Sequence, residues 1–64
     1  MSGGIIIQRA SILIPAVNDP SFLQYLDPSD QERCQTIAAK GAGGCDEGDV
    51  RYMAHMLEHV ATHS

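Results

Sequence analysis

The chain has 64 residues, 44% of them hydrophobic, with 4 Lys and Arg against 8 Asp and Glu and a formal net charge of −4. A chain of that size holds one small domain and rarely encloses the pocket that most enzymes need. The hydrophobic share fits a folded chain, and the acidic balance offers phosphates little, which speaks against nucleic acid as a partner.

Residues 1–4, Met-Ser-Gly-Gly, read as a flexible lead-in, and residues 5–64 as one small dimerising domain. Residues 5–14 are rich in isoleucine and are followed by Pro15; β-branched runs stopped by proline predict a strand. None of Gln8, Arg9, Ala10 and Ser11 is a turn former, so the strand should be unbroken. Two Asp-Pro pairs follow, at 19–20 and 27–28. Each fits an N-cap with proline at the first helical position. They predict a short helix over 20–26 and a second over 28–40, with Ser29 and Glu32 as a capping box and Gly41 as the stop. Gly41, Ala42, Gly43 and Gly44 form a glycine connector. The last helix starts at Asp46 or Glu47, where acidic groups suit the helix dipole. Val50, Met53, Ala54, Leu57, Val60 and Ala61 follow helical spacing as one apolar stripe. The expected fold class is α+β: one N-terminal β-strand followed by two or three α-helices.

A lone strand leaves both edges unpaired, and a chain this short usually needs a disulfide, a metal or a second copy. The predicted solution is a homodimer built on a two-stranded antiparallel ribbon. Centring it on Ala10 pairs Ile6 with Ile14, Ile7 with Leu13 and Gln8 with Ile12, and avoids setting Arg9 opposite itself. The expected dimer interface is therefore Ile6, Ile7, Ala10, Ile12, Leu13 and Ile14. Docking of the strand on another protein's sheet is the alternative.

The N-terminal apolar stretch lacks the features of a secretory signal and falls short of the roughly 20 apolar residues of a membrane span. A cytoplasmic location, with Cys34 and Cys45 reduced and no membrane partner, is the expectation. His55, His59 and His63 recur every fourth residue, and with Cys34 and Cys45 they raise a zinc-binding structural module. Their spacing matches no compact finger, and the histidines read equally as a polar helix face, so no metal or other cofactor is assigned. Cys34 falls inside a predicted helix, Cys45 precedes carboxylates that oppose a thiolate, and the glycine connector leads into acids that repel phosphate. No catalytic residue is assigned, and the chain is read as a non-enzyme.

A strand followed by helices, dimerising through the strand, is similar to the ribbon-helix-helix repressors. That resemblance implies major-groove reading by Gln8 or Arg9 and phosphate contacts from the start of the last helix. The acidic residues at that start and the glycine connector depart from the pattern. The preferred reading is a small acidic regulator or inhibitor, of the kind found in phages and mobile elements, that binds another protein. It would be steered to a basic surface, such as that of a nucleic-acid-handling protein. The expected contact residues are Tyr25, Asp27, Asp30, Glu32, Asp46, Glu47, Asp49 and Tyr52, with Met56 beside them.

Overall fold

The computed structural model describes the backbone of residues 2–63 and the side chains of residues 4–62. Four α-helices follow in chain order: α1, Ser2–Val17; α2, Pro20–Leu23; α3, Pro28–Lys40; and α4, Glu47–His63, with a 3₁₀ turn at Ala42–Gly44 between the last two. Among the described residues there is no strand. The expected α+β class and its two-stranded ribbon are thereby overturned, and the fold is all-α.

The correction lies in the first segment. The strand reading weighted the isoleucine content, but Ile6, Ala10, Leu13 and Val17 recur at spacings of four, three and four, which is the period of a helix. Ala10 and Val17 are fully buried, with Ile6, Leu13 and Ile14 half-buried beside them. As a helix the segment satisfies its own backbone, so the unpaired edges that demanded a second chain do not arise. The helix also takes in Ser2, Gly3 and Gly4, expected to be a flexible lead-in. The six residues expected at the ribbon interface are spread around α1: Ala10 faces the core, while Ile7 and Ile12 face water. Pro15 lies inside the helix, not after it. It removes the N–H that would reach the Ser11 carbonyl, and both residues lie on the exposed side of the helix.

Helix α1 is the hub of the molecule, packing against α2, α3, the 3₁₀ turn and α4. The second helix ends earlier than expected, at Leu23, and residues 24–25 continue as a turn that bends at Leu26. Asp19 caps it through Oδ1, which accepts from the Ser21 amide at 3.1 Å. Gln31 then ties the bend to α3, its Nε2 donating to the carbonyls of Leu23 at 2.7 Å and Leu26 at 3.1 Å. Helix α3 runs over the expected span, from Pro28 to a Gly41 cap at φ 77°, a conformation that glycine adopts without Cβ strain. The glycine connector is a hydrogen-bonded 3₁₀ turn, closed by the Gly44 amide donating to the Gly41 carbonyl at 3.0 Å.

Helix α4 buries Val50, Met53 and Met56, with Leu57 and Val60 half-buried. Its apolar stripe is rotated from the expected one: Ala54 and Ala61 are exposed, and Met56, considered a surface contact, is in the core. The larger side chains win the inward positions because burial scales with apolar area. Met53, Val17 and Cys34 are the bulkiest fully buried side chains, and Leu26 and Ile37 complete the core with them.

Candidate functional site

The acidic residues expected to face a partner divide into two sets. Asp46 and Asp49 form a reciprocal cap at the start of α4. Asp46 Oδ1 accepts from the Asp49 amide at 2.9 Å, and Asp49 Oδ2 accepts from the Asp46 amide at 3.2 Å. This is a capping box with aspartate at both ends. Asp49 is only 8% exposed and also accepts from Lys40 Nζ at 2.6 Å, which joins the last turn of α3 to the first turn of α4. That hydrogen bond is the main cause holding the Asp49 carboxyl below its ordinary range, and the same bond raises the Lys40 ammonium.

Asp30 is engaged as well. Its Oδ1 accepts from the Tyr52 hydroxyl at 2.8 Å, and the Arg33 guanidinium lies 4.5 Å from the centre of the Tyr52 ring. Burial, and then the bond to Asp30, push the Tyr52 phenol up to about 12. Tyr52, half-buried, thus serves as a clamp between α3 and α4. Asp27, Glu32, Asp46, Glu47 and Tyr25 remain exposed, Tyr25 at 64%. They sit on different elements: the bend before α3, α3 itself and the start of α4.

Both cysteines are free thiols, Cys34 fully buried and Cys45 half-buried. The Cys45 thiol donates to the Gly41 carbonyl at 3.4 Å. Burial is the first cause raising both thiols, with Asp30 adding to it at Cys34 and Asp49 at Cys45. Neither has the electropositive, accessible setting that activates a cysteine nucleophile. His55 and His59 are exposed on α4 with ring centroids 6.4 Å apart, and the side chain of His63 is outside those described. Among the described residues no three His, Cys, Asp or Glu side chains converge as a group that could hold a metal ion.

Two features were not anticipated from the sequence. On α1, Ile12 is 73% exposed, Ile5 55% and Ile7 46%. Ile5 and Ile12 are seven residues apart, two helical turns along one side, so they share a face pointing away from the core. Beside that face an open groove of about 340 Å³ runs between the first turns of α1 and α4, lined by Ile5, Ile6, Arg9, Glu47, Val50 and Arg51. The heptad spacing of Ile5 and Ile12 was a readable signal. The meeting of Arg9 with Arg51 was not, because only the packing of α1 on α4 brings them together.

No protein-family model, no curated protein and no solved structure matches the chain. No helix among the described residues is long and apolar enough to cross a membrane. With residues 5–14 helical, the resemblance to ribbon-helix-helix repressors lapses, since the groove-reading strand on which it rested is not there.

Proposed function

We propose that the chain is a non-catalytic binding protein that regulates or inhibits another protein by docking the outward face of α1 on it. The observation that carries this reading is the exposure of Ile5 and Ile12, two turns apart along one side of a helix whose other side already fills the core. Large apolar side chains grouped in water on one face of a helix mark an interaction surface. Covering these two side chains would contribute on the order of 2–4 kcal/mol of apolar burial, enough to anchor an interface whose polar rim adds little.

The charges sharpen the kind of partner. Asp30 and Asp49 are committed to bonds within the fold, so the acidic surface expected to seek a basic partner is smaller than the composition implied. Arg9 borders the exposed face of α1. Antiparallel pairing of two copies along Ile5 and Ile12 would bring Arg9 against Arg9 of the second copy, an unfavourable like-charge contact. A different protein is therefore the better occupant than a second copy.

The test is Ile12→Ser. The residue is exposed, so the thermal melt should not change by more than a degree or two, while capture of a host protein by the immobilised chain should be lost. The captured protein, identified by mass and purified, should bind the native chain and not the variant. Equal capture by both, or a native chain that only self-associates in sedimentation, would overturn the reading.

A further inference from the structure

The four basic side chains split into two pairs. Lys40 is bonded to Asp49, and Arg33 stacks over Tyr52. Arg9 and Arg51, among the described residues, make no ion pair, hydrogen bond or ring contact, in a chain that carries eight carboxylates. Both line the one groove between α1 and α4, whose apolar lining is Ile5, Ile6 and Val50 and whose acidic member is Glu47. Unpaired guanidiniums beside an aliphatic surface recognise a carboxylate attached to an aliphatic body, since the fork of N–H donors matches a carboxylate in two-point fashion.

We infer that this groove binds an acidic-aliphatic peptide segment of the partner protein, with carboxylates on Arg9 and Arg51 and a leucine- or isoleucine-like side chain on Ile5, Ile6 and Val50. The inference rests on the docking role proposed for α1 and specifies the chemistry of what docks there. A peptide is the fitting form because Ile5 belongs both to the groove and to the exposed face that continues to Ile12. One chain segment can pass from the groove onto that face. Glu47 stands four residues before Arg51 on α4, the spacing at which a glutamate competes for an arginine. It is the internal rival of the ligand carboxylate.

The experiment titrates the full chain into three labelled peptides of equal length, alternating Glu with Leu, Gln with Leu, or Lys with Leu, and follows fluorescence anisotropy. The Glu-Leu peptide should bind, the Gln-Leu peptide about tenfold more weakly, and the Lys-Leu peptide not detectably. Arg9→Gln and Arg51→Gln should each cut Glu-Leu binding about tenfold without changing the melt, and Glu47→Gln should tighten it. Absence of Glu-Leu binding, or equal binding by the double arginine variant, would overturn the inference. If Ile12→Ser abolishes binding while the arginine variants do not, the α1 face stands and the groove fails. The reverse pattern keeps the groove and removes the α1 face. Binding of decanoate with the same arginine dependence, and of no peptide, would make the ligand a small carboxylate and refute the peptide assignment.

Discussion

Replacing Pro15 by alanine tests the central structural finding, that residues read as a strand form the hub helix. Pro15 is the third residue from the end of α1. It cannot donate to the Ser11 carbonyl, and its ring crowds that oxygen. A proline in a helix interior costs about 3 kcal/mol relative to alanine. Here the position is in the last turn and Ser11 and Pro15 are both exposed, so solvation of the freed carbonyl recovers part of the loss, leaving about 1.5–2 kcal/mol for alanine to regain. Against this, alanine loosens the unfolded chain, worth about 0.4–1 kcal/mol in the opposite direction. The net expectation for Pro15→Ala is a gain of about 1 kcal/mol, which raises the Tm of a domain this small by about 4–8 °C.

Two measurements check it. A thermal melt by circular dichroism gives the shift, and amide exchange shows whether the N–H created at position 15 is protected, as a bond to the Ser11 carbonyl requires. A lower or unchanged Tm with an unprotected amide would refute the reasoning, because a proline that ends an extended segment gains nothing from replacement. A helix and an extended segment at Pro15 therefore predict different outcomes for one substitution.

Met53→Ala removes the bulkiest of the fully buried side chains and should cost about 2–5 kcal/mol. The whole stability of a chain this long is about 3–10 kcal/mol, so denaturant titration should find a large part of it lost in the alanine variant, with Met53→Leu within about 1.5 kcal/mol of native. At the start of α4, Asp49→Ala removes one arm of the capping box, with a cost of about 1–2 kcal/mol for the cap alone. The folded Asp49 carboxyl lies below its ordinary 3.8. Its contribution is therefore complete above that value and lost as pH falls through the lower, folded one. Lys40 lies above its ordinary 10.5, so its share is complete below that value and disappears as pH rises through the higher, folded one. A series of melts against pH should show Asp49→Asn flattening the acid limb below pH about 4, and a limb as steep as the native one would contradict the assignment.

What could be read from the sequence followed from local chemistry. Pro28 and Gly41 mark both ends of α3 as expected, since proline suits the first helical turn and glycine the stop. The start is set by proline and not by a cap, because Asp27 makes no side-chain cap bond and Ser29, expected with Glu32 to form a capping box, lies inside the helix. The core side of α4 was readable to within a small rotation, because its period is strong but alanine and methionine compete for the margins of the stripe. The first segment was misread because composition and period disagreed there. Isoleucine lowers helix propensity by only a few tenths of a kcal/mol per residue, less than the gain from burying Ala10 and Val17 and satisfying the backbone internally. In the candidate site, the Asp46–Asp49 spacing already carried the capping box, yet counting carboxylates as surface charge concealed that Asp30, Asp46 and Asp49 are all used inside the fold. Arg9 and Arg51 could not be joined from the sequence, since nothing local links the start of α1 to the start of α4.

A strand would have required another chain for its hydrogen bonds, and the cheapest such chain is a copy of itself. A helix requires nothing for its backbone, so only its side chains can call for cover. A 64-residue chain buries only about 60% of the surface it exposes when unfolded, too little for one core to take every isoleucine of α1 on all sides of the helix. Ile5 and Ile12 are left in water with Arg9 next to them. That cation penalises pairing with an identical face and favours one that brings a carboxylate, which is why the proposed occupant of this face is a different protein and not a second copy.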